Sequence, residues 1–179
     1  MWQKNGLKRL SGILAIVMGV ITLSEAWAIG QNAVVIRGMD DLAACSPGQL
    51  EELFRQGYVT GIPTGRVKAM ALVNPGSPQA RVASRASRLV FSGKVIADDA
   101  SEARNIFFGM KMIKGVFRVE PSVRDGQPAI ILDYSGTSLV YRNFRDEIRE
   151  LAPGLYLGYM MDVRDSSVVR RWFAFESGL

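Results

Sequence analysis

Short apolar segments separated by turn-forming residues dominate the chain after residue 64. In the segment GRVKAMAL, at residues 65–72, the small apolar residues Val67, Ala69 and Ala71 alternate with basic residues. This alternation is typical of a β-strand that is buried on one face. Similar segments predict eight further strands, at residues 93–97, 106–111, 113–120, 128–134, 138–143, 146–150, 155–161 and 168–175.

Turn formers lie between these segments, among them the pairs Asp125-Gly126, Ser135-Gly136 and Pro153-Gly154. Short, regular strands joined by tight turns favour an antiparallel meander. A twisted sheet of this many strands tends to close or to curl. We therefore predict a mainly β fold, an antiparallel barrel or half-barrel with one or two short helices.

Two segments carry helical signals. Ser46 can cap a helix, Pro47 suits its first position, Gln49 completes a capping box, and Gly57 can end the helix. Apolar residues at helical spacing predict a second helix over residues 78–91.

The first 28 residues are typical of an export signal. Basic residues are followed by an uncharged apolar run of 12 residues and by the small-residue pattern Ala26-Trp27-Ala28. A membrane-spanning helix needs about 20 apolar residues, so cleavage is favoured over a retained anchor. The predicted organisation is a signal peptide at 1–28, an N-terminal arm or leading strand at 29–45, and a single β-barrel domain at 46–179. The predicted location is periplasmic or secreted, with membrane association only if residues 1–28 are kept.

Residue usage excludes several classes of function. The chain has no histidine and a single cysteine, Cys45, which excludes His-based triads, His-ligated zinc and an internal disulfide. Without residues 1–28, 19 basic and 16 acidic residues leave a net charge of +3 with no basic cluster. We therefore predict no nucleic-acid partner, no metal and no cofactor.

The dipeptide Asp133-Tyr134 is the first candidate for chemistry. It follows the apolar run at residues 129–132, whose side chains point both ways and indicate a strand covered on both faces. Asp133 is either a catalytic base at a strand end or a cap for the turn that follows it.

The charged strand at residues 146–150 is the second candidate. Alternation places Arg145, Glu147 and Arg149 on one face and Asp146 on the other, together with Ile148 and Glu150. The arginine face is either a salt-bridge ladder in solvent or, inside the barrel, a cation for a carboxylate or phosphate. If Ile148 faces the core, one of the two acids on its face must be paired or functional, because an unpaired buried carboxylate is costly.

Lys94, Tyr156 and Tyr159 complete the candidate site. Lys94 either meets an anionic head group or keeps a barrel rim soluble. Tyr156 and Tyr159 belong to aromatic and methionine-rich strands, which suit an apolar ligand cavity and also an ordinary core.

The order of these pieces resembles small lipocalin-like bacterial proteins of the Gly-x-Trp-x-Gly kind. The resemblance rests on Gly61-Ile62-Pro63-Thr64-Gly65, Ser92-Gly93-Lys94-Val95, Phe144-Arg145 and Gly158-Tyr159-Met160, with Pro63 in place of the family's tryptophan. It implies a lipocalin-like, calycin-type barrel whose interior holds a small apolar or amphipathic ligand.

Three functions follow from these features. The first is an exported module that binds or carries a hydrophobic small molecule, whose acidic end meets Arg145 or Arg149. The second is a metal-free isomerase or cyclase that uses Asp133 or Asp146 with Tyr134 or Tyr141. The third is an envelope scaffold without a ligand, marked by an exposed apolar patch or an unpaired edge strand. Binding is favoured over catalysis, so no catalytic residue is assigned.

Overall fold

Eight antiparallel strands close into a barrel within residues 35–178, the part of the chain that the computed structural model describes. Each strand pairs with the next, and β8 pairs back onto β1 from Val67 and Ser177 to Leu72 and Trp172. The predicted antiparallel barrel is confirmed, and it is closed rather than a half-barrel. The strands are β1 (Gly65–Leu72), β2 (Phe91–Ile96), β3 (Glu102–Phe107), β4 (Met110–Pro121), β5 (Pro128–Asp133), β6 (Phe144–Ala152), β7 (Leu155–Asp162) and β8 (Asp165–Ser177).

Three short helices accompany the barrel in the described residues: α1 (Met39–Ala44), α2 (Pro47–Gln56) and α3 (Ala80–Ser87). The capping box of α2 is confirmed, since the Gln49 N–H donates to Ser46 Oγ and the Ser46 N–H donates to Gln49 Oε1. The third helix is shorter than predicted, because β2 already begins at Phe91.

Helix α1 occupies a segment for which the sequence predicted a strand or an ordered arm. Asp40 and Asp41 lie in its first turn, where the helix dipole favours carboxylates. They also form ion pairs with Arg85 and Arg81 of α3. The predicted signal peptide at 1–28 lies outside the described residues.

Two of the predicted strands are wrong. Residues 138–143 form turns, which begin where the N–H groups of Thr137 and Ser138 both donate to the Tyr134 carbonyl. The predicted strand at 106–111 spans a hairpin, in which Phe107 pairs with Met110 around Phe108 and Gly109. Phe108 and Gly109 both have positive φ, 49° and 78°. Phenylalanine rarely adopts a positive φ, so the sequence gives no signal of this turn.

The barrel wall is buried on both faces where α1 and α2 cover it. Along β5, Ile131 belongs to an outer apolar cluster that includes both helices, whereas Ile130 and Leu132 belong to the cluster inside the barrel. This confirms the prediction of a strand covered on both faces. On the outside, the Phe54 ring of α2 lies 4.9 Å from the ring centroid of Tyr159.

Gly158 leaves room for the Phe173 ring in the barrel interior. It pairs with Phe173 across β7 and β8, and a Cβ atom at Gly158 would lie 2.5 Å from Phe173 Cζ and 2.9 Å from Ile148 Cγ1. We expect Gly158→Ala to lower the free energy of unfolding by about 1–3 kcal/mol, the usual cost of overpacking. Urea unfolding measures this change. Gly48→Ala is the matched control, because a Cβ there meets nothing within 4 Å, and equal losses in both variants would contradict the prediction.

Candidate functional site

A cavity of about 420 Å³ opens at the end of the barrel where β1, β3, β5 and β7 finish, which we call the mouth end. This volume lies within the range of small-molecule sites, about 300–1,000 Å³. Its walls are mainly apolar, and its polar groups come from seven residues. The lining residues are Ala71, Ser87, Val90, Phe91, Lys94, Asn105, Phe107, Tyr134, Tyr141, Asp146, Met160, Arg171 and Phe173.

Strand alternation directs the polar residues inward. Lys94 pairs with Asn105 across β2 and β3, and Asp146 pairs with Leu132 across β5 and β6. Residues two positions away on the same faces, such as Ile148, belong to the inner apolar cluster. The period-two pattern that builds the core therefore also places an ion pair inside the barrel.

Lys94, Asn105, Tyr134 and Asp146 form one hydrogen-bonded group, which we call the lumen cluster. Lys94 Nζ lies 2.7 Å from Asn105 Oδ1, 3.2 Å from Asp146 Oδ2 and 3.4 Å from the Tyr134 hydroxyl oxygen. An ammonium group has three hydrogens to donate, so each of them has an acceptor. Lys94 is 1% exposed, and the cluster supplies the partners that a buried charge requires.

The Tyr134 hydroxyl is the hub of the lumen cluster. It donates to Asp146 Oδ2 at 2.7 Å and accepts from Asn105 Nδ2 at 3.1 Å. Burial, reinforced by the charge of Asp146, raises the pKa of Tyr134 well above its usual value. Tyr134 is therefore a neutral hydrogen-bond donor throughout the physiological pH range.

The lumen cluster is polar but carries no net charge. Burial lowers the pKa of Lys94, and the neighbouring carboxylate of Asp146 opposes that shift. The rings of Phe173 and Phe91 also face the ammonium, with centroids 5.1 and 5.5 Å from Nζ. A charged Lys94 paired with a charged Asp146 satisfies all of these contacts.

The structure brings three of the predicted site residues together, Lys94, Tyr134 and Asp146. Lys94 is inside the barrel rather than at a solvated rim. The other inner carboxylate, Glu150, is also paired, since it accepts from the Gly154 N–H at 2.8 Å and from the Thr60 hydroxyl. The sequence required a partner or a function for one of the two acids on the Ile148 face, and both Asp146 and Glu150 have partners.

Asp133 does not line the cavity. Its carboxylate accepts from the N–H of Ser135 at 2.8 Å and forms an ion pair with Arg118. Asp133 therefore caps the turn after β5, which is the second of the two roles considered for it.

The prediction that Arg145 or Arg149 faces the barrel interior is wrong. Because Asp146 and Ile148 occupy the inward positions of β6, Arg145 and Arg149 point outward, opposite Met161 and Leu157 of the outer cluster. Arg145 pairs with Glu147 at 2.6 Å. Arg149 is completely buried beneath α2 and is bonded to Asp125.

Tyr156 and Tyr159 also lie away from the cavity. Tyr156 faces the interior at the opposite end of the barrel, stacked on Phe175 with ring centroids 4.6 Å apart. Tyr159 faces outward and donates to Glu147 Oε2 at 2.6 Å. Both belong to the ordinary core, the alternative that their composition left open.

Three polar residues of the cavity were not predicted from the sequence, Ser87, Asn105 and Arg171. Asn105 shares a strand face with Ala103 and Phe107, so an amide on an otherwise apolar face was the available signal. Arg171 carried no signal, because its neighbour Arg170 places a basic residue on each face of the strand.

Comparison with known proteins gives the fold alone. No family model matches the chain, and no curated protein matches it. A crystal structure of a protein from Thermomonospora curvata is similar, with a TM-score of 0.50 and 14% sequence identity over 75% of this chain and 89% of that one. At this identity the likeness supports the barrel architecture and carries no function.

None of the helices in residues 35–178 has the length and apolar character that a membrane span requires. No group of three or more His, Cys, Asp or Glu side chains there could hold a metal ion.

Proposed function

We propose that this barrel binds a small amphipathic molecule in its lumen and acts as an exported binding or carrier protein. The supporting observation is the cavity of about 420 Å³, which has apolar walls and ends on the lumen cluster. Apolar walls with a few fixed polar groups are the usual composition of a small-molecule site.

The charges of the cavity specify the chemistry of the ligand. Because the lumen cluster carries no net charge, the inner end of the cavity suits an uncharged hydroxyl or carbonyl group of the ligand. Arg171 lines the mouth, is exposed, and forms no ion pair with the described residues. A carboxylate would therefore meet Arg171, which takes over the role first predicted for Arg145 or Arg149.

Two sequence features agree with this proposal. The predicted export signal places the protein in the periplasm or outside the cell, where a carrier would meet exogenous or envelope-derived lipids. The resemblance to lipocalin-like proteins implies the same class of ligand. The scaffold alternative loses one of its marks, since every barrel strand of the described residues is paired on both sides.

Blocking the lumen tests the proposal. Native mass spectrometry of the protein from its own envelope should reveal a bound molecule at about one to one. Anilinonaphthalene sulfonate, an apolar fluorophore with one anionic group, should bind the emptied protein. Met160→Trp fills the cavity and should weaken this binding at least tenfold, the equivalent of about 1.4 kcal/mol. Val119→Trp, at an exposed position of β4 that does not line the cavity, is the matched control, and equal affinity in both variants would contradict binding in the lumen.

A metal-free enzyme is the second candidate, and the contact between Tyr134 and Asp146 favours it. A carboxylate 2.7 Å from a phenol at the end of an apolar cavity is a plausible acid–base pair. Asp146→Asn separates the two functions. A carrier would release the same molecule from both proteins, whereas an enzyme variant would retain an unconverted substrate that the wild type does not hold.

A further inference from the structure

Four connections converge on the mouth end of the barrel. Consecutive antiparallel strands reverse direction, so residues 73–90, 108–109, 134–143 and 163–164 all lie at the end where the cavity opens. The Phe108 N–H donates to the Val90 carbonyl at 2.8 Å, which joins two of these connections. Whatever approaches the cavity entrance meets these residues first.

The mouth end carries the largest exposed apolar side chains of the described residues. Every exposed leucine, phenylalanine and methionine among them lies on these connections or at the start of β4, and Leu139 and Phe108 are 89% and 67% exposed. Elsewhere the exposed large apolar residues are valines and Tyr58. Single exposed apolar residues are normal, but a group around one opening marks an interaction surface. The group consists of Leu89, Phe108, Met110, Met112 and Leu139.

The charge of the mouth end is positive. Its four connections contain five arginines and no acidic residue, whereas the connections at the opposite end, 97–101, 122–127 and 153–154, contain three aspartates and one arginine. Four of the arginines, Arg81, Arg85, Arg88 and Arg164, pair with aspartates. Arg142 and the nearby Lys111, Arg170 and Arg171 form no ion pair with the described residues, so their charges are available to an anionic partner.

We propose that the mouth end docks on an anionic lipid surface. Apolar side chains on separate loops, with free cations between them, suit a fluid bilayer, in which the apolar groups enter the acyl boundary and the cations meet phosphates. This orientation places the cavity entrance at the depth of acyl chains. A ligand then passes between bilayer and lumen without crossing water, a consequence that rests on the proposed function.

Vesicle sedimentation of the full chain tests the docking. The variant Phe108→Asn with Leu139→Ser removes an exposed apolar side chain from each of two connections, and asparagine tolerates the positive φ of residue 108. We expect it to weaken partitioning onto phosphatidylcholine–phosphatidylglycerol vesicles at least about tenfold. The control, Val116→Ser with Val119→Ser, changes exposed residues on the wall of β4 and should leave partitioning unchanged. Arg142→Gln with Arg171→Gln should weaken binding to these vesicles and not to phosphatidylcholine alone.

Two outcomes would overturn the proposal. All variants share residues 1–34. Equal partitioning of the loop variant and its control would therefore assign membrane binding to a part of the chain outside the mouth end. A dimer in sedimentation equilibrium that dissociates in the loop variant would assign the surface to a second copy of the chain. Fluorophore binding without vesicles is measured separately: a wild type that binds vesicles but no fluorophore would refute the lumen site and leave the docking intact.

Discussion

Replacing Arg149 with methionine will lower the free energy of unfolding by about 3–5 kcal/mol, the cost of breaking a buried ion pair from one side. Arg149 is completely buried, and all five of its N–H donors are used. They bond both carboxylate oxygens of Asp125 at 2.7 Å and the carbonyls of Phe54, Gln127 and Pro128 at 3.0 Å. Methionine fills similar space but leaves these acceptors without a donor.

The large effect follows from what Arg149 connects. Phe54 lies in the last turn of α2, Asp125 and Gln127 lie in the connection from β4 to β5, and Pro128 begins β5. One side chain therefore fixes the helix to the barrel wall. The guanidinium carbon also lies 4.4 Å from the centroid of the Phe54 ring. Arg149→Lys should recover little of the lost stability, because lysine offers three donors from a single point.

Urea unfolding at two pH values measures the effect of the Arg149→Met change. The hydrogen bonds from Arg149 hold the pKa of Asp125 below its usual value. A lowered folded-state pKa stabilises the protein above the unfolded value, about pH 4, and this contribution is lost as the pH falls through the folded-state pKa. The difference between wild type and variant should therefore be larger at pH 7 than at pH 2. The control is Arg66→Met, at an exposed position of β1, which should change the free energy of unfolding by no more than about 0.5 kcal/mol. A similar loss in both variants at pH 7 would contradict the role of Arg149.

Most of the barrel could be predicted from the sequence, because alternation and turn formers are local signals. The segments that failed are those where a local signal misleads. Ser138–Asn143 has the composition of a strand, yet it packs Tyr141 between Tyr134 and Phe144 as part of a turn, with ring centroids 5.8 Å from each. At Phe108, a turn is built from a residue that rarely adopts positive φ.

The candidate site was predicted less completely, because alternation groups residues by face without saying which face is inside. The grouping of Arg145 with Arg149 and of Asp146 with Ile148 was correct. The choice of face depends on α2, which covers the outer side of β6 and satisfies Arg149 there. The meeting of Lys94 with Asp146 depends on barrel closure and leaves no trace in either local sequence.

Lys94→Met will also lower the free energy of unfolding by about 3–5 kcal/mol, since it leaves the Asp146 carboxylate buried without a cation. Asp146→Leu should have a comparable effect, because it leaves the ammonium of Lys94 buried beside Phe91 and Phe173 without a carboxylate partner. The double variant removes both charges and replaces them with apolar groups of similar size. It should recover most of the loss, with a coupling energy of about 2–3 kcal/mol in urea unfolding at pH 7.

The double variant also separates stability from recognition. It keeps the apolar walls of the cavity, including Phe107, Tyr141 and Met160, and it removes the cation and the carboxylate of the lumen cluster. A ligand whose inner end is an uncharged polar group should bind the double variant more weakly than the wild type, because two of the four polar side chains of the lumen cluster are gone. Native mass spectrometry with the co-purified molecule measures this loss. A stability loss in the double variant equal to the sum of the two single losses would contradict the coupling of Lys94 with Asp146. Unchanged ligand binding in a stable double variant would show that the ion pair supports the barrel without contacting the ligand.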